Sequence, residues 1–215
     1  MTRMPPAVRR EAIIDAALSV MLVKGLAATT VRDIAQVMGT SSGLIHHYFA
    51  SMDDLLAAAF ERAASSDLEA TRAAMAATET PLAQLGVFFT TYVRAEQDWA
   101  FQLWLDAWAE AARRPAVQET SQRLNIAWQQ LLEQTIRAGV SDAEFTCPEP
   151  PAAAWRILSL LDGLALQAVA HQASIDRSAV VAWSVRLAES ELGLPSGALG
   201  SATRNSSRAA AAVGP

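Results

Sequence analysis

The chain has 215 residues, of which 52% are hydrophobic, and its formal net charge is −5. This size and composition predict one large or two small globular domains with a core that needs no disulfide or metal. A single cysteine, Cys147, excludes an intrachain disulfide framework, and the start MTRMPPAVRR lacks the apolar segment of a secretory signal. No uninterrupted apolar run approaches the roughly 20 residues that span a bilayer, so we expect a cytoplasmic protein.

The charge is unevenly distributed along the chain. Residues 1–50 carry a net charge of +2, so the remainder carries −7. Because nucleic acids are polyanions, a basic head on an acidic body permits nucleic-acid contact through the head alone. The excess is too small to establish such contact by itself.

Apolar residues recur with helical spacing from end to end, and no alternating strand pattern is visible. We therefore predict an all-α fold of about nine helices. Gly25, Gly39 and Gly139 are predicted to end helices, and Pro81 and Pro115 lie near helix boundaries. We divide the chain into a helix-turn-helix domain at 1–50, a helical ligand-binding and dimerisation domain at 51–193, and a disordered tail at 194–215.

The head contains two short helical patterns joined by a tight turn. Thr30-Val-Arg-Asp33 has the form of a capping box that starts the first of them, and Gly39 ends it. The next helix runs from about Ser41 to Tyr48. This layout is that of a helix-turn-helix, although the same layout also occurs as a packing unit in proteins that touch no DNA.

Small polar side chains on the outer face of the second short helix would fit the major groove. A hydroxyl or imidazole there can reach base edges or phosphate, and the amides at the start of the preceding helix offer an anion site. His46 and His47 point about 100° apart on a helix, which makes them a poor pair of metal ligands. We expect no metal and no cofactor. The residues predicted to contact DNA are Thr30, Thr40, Ser42, Gly43, Leu44, His47 and Tyr48.

The stretch GLAATTVRDIAQVMGTSSGLIHHYFASMDDLLAAAFE resembles the N-terminal domain of the TetR family of transcriptional repressors, and the resemblance covers residues 9–62. It implies that the third helix reads bases and that the start of the second holds a phosphate. Thr30 and Tyr48, and His47 in part, would then contact phosphate. Ser42, Gly43 and Leu44 would face base edges.

Met52 departs from the pattern of that family. A Lys that grips phosphate usually stands at this position, at the start of the fourth helix. The substitution predicts one phosphate contact fewer and a shallower salt dependence of DNA binding. Arg3, Arg9 and Arg10 of the N-terminal arm are candidates to compensate.

The body holds all six tryptophans, three of them in DWAFQLWLDAWAEAARRP. Asp162 lies in an apolar helical stripe, where an unpaired carboxylate costs several kcal/mol. Aromatic faces and one carboxylate would suit a quaternary ammonium ligand. Tryptophans at this spacing are more often core, and Asp162 would then serve helix packing. The predicted ligand-binding residues are Phe101, Trp104, Trp108, Trp155, Asp162 and Leu166.

WAFQLWLDAWAEAARRPAVQETSQRL and LLDGLALQAVAHQASID are similar to the C-terminal domain of the choline-responsive repressors of glycine-betaine synthesis. The resemblance implies that the last two helices form a four-helix bundle with a second subunit. Operator DNA, a small-molecule effector and a second copy of the chain are the expected partners. The predicted dimer residues are Leu161, Leu164, Ala168, Val181, Val185 and Leu192.

We therefore predict a ligand-responsive transcriptional regulator, a homodimeric repressor that a small molecule releases from a palindromic operator. Two alternatives are a helical-bundle enzyme and a protein-interaction module that binds no DNA. The acid or base of such an enzyme would come from Asp106, Glu110, Asp162 or His171. No pair of these has a telling spacing, and no nucleophile or phosphate-binding motif accompanies them.

Overall fold

The computed structural model describes residues 5–93, 98–171 and 175–200. Within these ranges the chain forms nine α-helices and no strand, and a further helical turn begins at residue 198. The predicted all-α fold is confirmed. The helices are α1 (Pro6–Lys24), α2 (Val31–Val37), α3 (Ser42–Tyr48), α4 (Met52–Ala76), α5 (Pro81–Val93), α6 (Asp98–Ala111), α7 (Pro115–Ser141), α8 (Pro150–His171) and α9 (Arg177–Glu191).

The chain folds as two compact units. The first, here called the head unit, comprises Met1–Ser66 and Gln102–Leu124, and the second, the body unit, comprises Asp67–Phe101 and Asn125–Pro215. Helices α4, α6 and α7 contribute residues to both. The predicted boundary after residue 50 therefore does not coincide with the division of the structure, because the first three helices bury their apolar faces against parts of these longer helices.

The head unit has one continuous hydrophobic core. The apolar faces of α1, α2 and α3 meet in it, with Ile34 and Ile45 almost fully buried. Leu103 and Ala107 of α6 and Val117 of α7 complete it. Burial on this scale fixes α3 on a rigid support, at roughly 25 cal/mol of stabilisation for each Å² of apolar surface removed from water.

The body unit is built around α8 and α9, which pack against each other, while α5 packs against α9. Helix α8 buries Ala153, Ile157, Leu161 and Ala165, and α9 buries Val181 and Val185 among others. By length and composition α8 would suffice to cross a membrane, and a third of its apolar window is buried inside the chain. Arg156 and Asp162 interrupt this helix, so it holds no uninterrupted apolar run of the length that spans a bilayer.

Helix α7 does not end at Gly139, contrary to the sequence prediction. The helix continues to Ser141, and the chain turns at Ala143, whose φ of 59° is positive. A Cβ at position 139 would lie 2.1 Å from the Phe145 ring, which packs directly on the glycine backbone. Gly139 therefore serves close approach of an aromatic ring rather than helix termination.

The predicted disordered tail begins too early in the chain. Leu199 is fully buried, and the Glu189 carboxylate accepts hydrogen bonds from the backbone amides of Gly197 and Leu199, each at 3.0 Å. The segment up to residue 200 is thereby ordered against α9. The remainder of the predicted tail, 201–215, lies outside the described residues.

Candidate DNA-reading surface and effector site

The start of α2 is fixed by the predicted capping box. The Asp33 amide donates to Thr30 Oγ1 at 3.2 Å, and the Thr30 amide donates to Asp33 Oδ2 at 3.2 Å. The Thr30 hydroxyl also donates to Asp33 Oδ2, at 2.7 Å. Thr30 is exposed as predicted, but its amide is already satisfied. A phosphate bound by that amide would therefore have to displace the Asp33 carboxylate.

A cation of α1 balances this carboxylate. Lys24 Nζ lies 2.5 Å from Asp33 Oδ1. The Lys24 ammonium, and next the Thr30 hydroxyl, lower the pKa of Asp33 to about 2. Asp33 therefore stays ionised at any pH at which the protein would function, and the charge of Lys24 is neutralised locally.

The turn between α2 and α3 depends on Gly39, as predicted. Its φ is +60°, which disfavours side chains, and the Thr40 amide donates to the Ala35 carbonyl at 2.9 Å across the turn. Ala35 is 5% exposed at the point where the two helices approach. These contacts fix the direction in which α3 leaves the head unit.

Helix α3 presents the predicted reading residues to solvent. Ser42, Gly43 and His47 are exposed, whereas Thr40, Leu44 and Tyr48 are half-buried. The Tyr48 ring packs against the core and stands edge-on to the His47 ring, with the centroids 5.3 Å apart. His46 is also exposed. The exposed side chains of α3 are small or polar, and its buried face holds the helix in place, as a helix that enters the major groove requires.

Asp106, named above as a candidate acid or base, has a hydrogen-bond partner that the sequence pattern did not predict. Its Oδ2 accepts a hydrogen bond from the backbone amide of Leu26 at 3.0 Å, and its Oδ1 accepts one from Gln102 Nε2 at 3.0 Å. Both donors, Leu26 and Gln102, belong to the head unit, as does Asp106. The contact ties α6 to the turn that follows α1, and no local motif marks it because the two residues lie 80 positions apart.

The predicted ligand-binding residues divide between the two units. Trp104 and Trp108 belong to the head unit, whereas Phe101, Trp155, Asp162 and Leu166 belong to the body unit. The Trp104 ring is edge-on to the Phe60 ring, with 5.0 Å between centroids, and lies 5.6 Å from Trp108. Trp104 also packs against the head core, so at least this tryptophan performs the packing role that the sequence left open.

Asp162 is half-buried on α8, between the buried residues Leu161 and Ala165. Burial raises the pKa of its carboxyl to about 7. In the part of the chain that the structure describes, no cation and no hydrogen-bond donor contacts this carboxyl. Leu166 is half-buried one turn later, and Trp155, two turns earlier, is 39% exposed.

Most of the predicted dimer residues prove to be core. Leu161 and Leu192 are fully buried within the chain, and Val181 and Val185 are 7% and 6% exposed, so these four cannot form a partner surface. Helical periodicity shows that these residues share an apolar face, but not whether the chain itself or a partner covers that face. Leu164 and Ala168 are half-buried. The exposed positions are Pro151, Trp155, Arg156, Ser159, Gly163, Gln167, Ala170 and His171 of α8 and Ser178, Ala182, Trp183, Arg186 and Ser190 of α9.

Comparison with known proteins agrees with this architecture. Residues 13–59 match the family of bacterial regulatory proteins of the tetR type, and residues 81–193 match the family described as BetI-type transcriptional repressor, C-terminal. The chain is 31% identical over 179 residues to the HTH-type transcriptional regulator BetI of Rhizobium meliloti strain 1021, which covers 81% of this chain and 85% of that protein.

Solved structures share the fold at lower identity. A regulator from Saccharomonospora viridis in complex with choline superposes with a TM-score of 0.74 at 21% identity, covering 86% of this chain and 98% of that one. The regulator FadR from Bacillus subtilis, in complex with stearoyl-CoA, gives 0.67 at 19% identity and covers 85% and 97%.

The relatives are regulators rather than enzymes, which sets aside the helical-bundle enzyme. The head unit has the helix-turn-helix geometry of a DNA reader, and the family matches cover both the reader and the helices that follow it. The chain therefore belongs to the TetR family of bacterial transcriptional regulators, with a C-terminal domain of the BetI repressor type.

Proposed function

We propose that the chain is a homodimeric, cytoplasmic repressor that a quaternary ammonium cation releases from a palindromic operator. The observation that carries the effector class is Asp162, a half-buried carboxyl on α8 that has no counter-charge among the described residues. An unpaired buried carboxylate is costly, and a ligand that supplies the missing charge recovers that cost. The proposed DNA contacts remain those named above, at the start of α2, in the turn that follows α2 and on α3, although the Thr30 amide at the start of α2 is already occupied by Asp33.

A quaternary ammonium ion fits this carboxyl better than other cations. It has no N–H groups to satisfy, and its methyl groups suit an apolar neighbour such as Leu166 on the same face of α8. A fatty acyl-CoA, the class bound by the Bacillus neighbour, carries several negative charges that Asp162 would repel. Choline, the ligand of the Saccharomonospora neighbour, is the matching probe.

Isothermal titration with choline tests the effector class. We expect binding to the wild type at pH 8 and a loss of at least tenfold in affinity for Asp162→Asn, which keeps the side-chain shape and removes the charge. Asp67→Asn is the matched control, because burial also raises the pKa of this half-buried carboxyl on α4. Equal choline affinity in the wild type and Asp162→Asn, or binding of stearoyl-CoA in place of choline, contradicts the proposed effector.

We propose that the second subunit packs on the exposed face of α8 and α9. Trp183 is 47% exposed and Trp155 39%, which is a large apolar surface to leave in water. A Cβ at Gly163 would meet nothing within 4 Å inside the chain, so a neighbouring helix has room to approach there. An operator with two half-sites also requires two reading helices related by a two-fold axis.

Effector release follows from two-state coupling in such a dimer. A ligand that binds one spacing of the two reading helices more tightly than another shifts the population toward that spacing. If the preferred spacing no longer matches adjacent major grooves, the operator is released. A change of tenfold in operator affinity requires a difference of about 1.4 kcal/mol in ligand binding.

Sedimentation velocity tests the dimer surface. We expect a dimer for the wild type and a weakened dimer for Trp183→Glu, which places a charge in the proposed interface. Trp155→Glu should act in the same direction. The matched control is Ile126→Glu, since Ile126 is also an exposed apolar residue at 39% but lies on α7. A monomeric wild type, or equal association of Trp183→Glu and wild type, contradicts the assignment.

A further inference from the structure

The reading helix α3 carries no Lys or Arg of its own. Between Arg32 and Arg62 the sequence contains no Lys or Arg, although this stretch includes the whole of α3 and both of its flanking turns. Double-stranded DNA has one negative charge for about every 1.7 Å of its axis, and basic side chains that neutralise phosphates supply much of the affinity. The cations that accompany α3 to DNA must therefore come from other elements.

Several basic residues of the head unit are already paired. Lys24 is paired with Asp33, and Arg62 holds both Glu11 and Asp15. Arg114 bridges Asp53 and Glu110, while Arg123 is paired with Glu61. These cations face carboxylates of the same unit, so they offer little net charge to a phosphate. The remaining candidates for a phosphate contact are the arginines at the start of α1 and α2.

Arg10 of α1 is held at the end of the reading helix. Its guanidinium carbon lies 4.8 Å from the centroid of the Phe49 ring, over the ring face. Phe49 is the residue that caps the C-terminus of α3, and it is 5% exposed. A cation over an aromatic face is attracted to the ring, which restricts where this long side chain points. The guanidinium is therefore held at Phe49, the residue that follows Tyr48, next to the α3–α4 junction.

The Arg10 charge remains available at that position. Its side chain is 48% exposed, and its ion pair with Glu11 is long at 3.6 Å. The other carboxylate oxygen of Glu11 is held by Arg62, so Glu11 is shared between two guanidinium groups. The stacked, planar guanidinium keeps N–H groups at its edge that match the oxygens of a phosphate.

We propose that Arg10 is a DNA phosphate contact, and that it supplies from α1 the positive charge that α3 and the start of α4 lack. The proposal rests on operator binding by the head unit and goes beyond it by naming a contact outside the helix-turn-helix. Its chemical partner is the backbone phosphate beside the major groove that α3 enters. Because phosphates carry no sequence information, Arg10 contributes affinity and not specificity.

The slope of log affinity against log salt concentration tests the proposal. For B-DNA each neutralised phosphate contributes about 0.9 to this slope, so Arg10→Gln should reduce the steepness by about that amount. The variant should lower the affinity for operator DNA and for scrambled DNA by the same factor. Arg10→Lys, which keeps the charge, should retain the slope. Arg123→Gln is the matched control, because its side chain is 54% exposed in the same unit and pairs with Glu61, well inside α4 and not at the α3–α4 junction.

The possible outcomes separate the inference from the function on which it rests. If the wild type prefers operator and Arg10→Gln has the slope of the wild type, the phosphate contact is disproved and operator binding stands. If Arg123→Gln reduces the slope as much as Arg10→Gln, the effect is a general loss of charge and the proposal fails. A wild type that binds no DNA overturns both. Circular dichroism of each variant confirms that the helices are retained, and Arg10→Met, which keeps an unbranched side chain without the charge, replaces Arg10→Gln if that variant unfolds.

Discussion

The Asp106 carboxylate of α6 accepts a hydrogen bond from the backbone amide of Leu26, with 3.0 Å between the oxygen and the nitrogen. Leu26 is fully buried just after the end of α1, so its amide has no access to water. The preceding residue, Gly25, has a φ of +82°, and a Cβ there would lie 3.0 Å from Asp106 Oδ2. A helix outside the helix-turn-helix thus fixes the turn from which α2 departs.

Removal of this acceptor should destabilise the head unit. Asp106→Ala leaves the Leu26 amide buried and without a partner, which costs about 1–3 kcal/mol. Urea unfolding followed by circular dichroism measures the difference. Gln102→Ala is the control: it removes only the exposed donor to the other Asp106 oxygen, and we expect a change below about 0.5 kcal/mol. Equal stability of Asp106→Ala and wild type would show that the Leu26 contact contributes nothing.

Arg32 should oppose folding and favour DNA binding. It is the second residue of α2 and is exposed, and a positive charge near a helix N-terminus is unfavourable by about 0.3–1 kcal/mol. Arg32→Gln is therefore expected to raise the melting temperature while it weakens DNA binding and makes the salt dependence less steep. Thermal melts and fluorescence anisotropy measure the two effects. A melting temperature that falls, or DNA affinity that stays the same, is the contrary result.

Asp162 should make the protein less stable as the pH rises. The pKa of its carboxyl is about 7 in the folded state, against a usual value of 3.8. The folded state therefore holds a proton that the unfolded state has lost, and stability falls between about pH 4 and pH 7 by at most about 4 kcal/mol. The stability of Asp162→Asn does not fall in this way. We therefore expect the variant to be more stable than the wild type at pH 8, and the two free energies of unfolding to be closer at pH 4.

Urea unfolding of the two proteins at several pH values checks this prediction. The difference in free energy of unfolding between variant and wild type isolates the contribution of Asp162, because other titrating groups are common to both. A difference that is constant from pH 4 to pH 8 would mean that the carboxyl keeps its ordinary pKa. Choline should reduce the difference at pH 8, since it stabilises only the wild-type carboxylate.

Gly139→Ala should be destabilising although it replaces glycine by a better helix former. The new methyl group would overlap the Phe145 ring, with an initial separation of 2.1 Å, and overpacking costs about 1–3 kcal/mol. Gly163→Ala on α8 is the matched change, because nothing lies within 4 Å of its Cβ inside the chain. Thermal melts at a concentration where the protein is monomeric compare the two. A Gly139→Ala variant as stable as Gly163→Ala would show that Phe145 moves aside freely.

Local patterns predicted the elements of the reading surface correctly. The Thr30–Asp33 capping box and the turn at Gly39 depend on residues a few positions apart, and the structure reproduces both. Gly139 was misread as a helix stop because its partner is the Phe145 ring, and sequence spacing does not show which ring packs on a glycine. The order of residues 194–200 was missed for the same reason, since it depends on hydrogen bonds to the buried Glu189.

The body was harder to interpret from periodicity. Leu161 and Val185 lie on helical stripes that suit either a core or a dimer surface, and only the packing of α8 on α9 shows that the chain buries them itself. Asp162 was found from sequence because a carboxylate in an apolar stripe is unusual in any packing. Asp106 was named only as a candidate acid or base. Its contact with Leu26 spans 80 positions and has no local signature.

The most direct test is fluorescence anisotropy with a palindromic operator selected from random DNA, using scrambled DNA as competitor and choline in a second series. The account predicts tight binding that the scrambled DNA does not displace, loss of that binding on addition of choline, and retention of it when choline is added to Asp162→Asn. Equal binding of operator and scrambled DNA would contradict a sequence-reading head. Release of the wild type and Asp162→Asn at the same choline concentration would contradict the role of the α8 carboxylate.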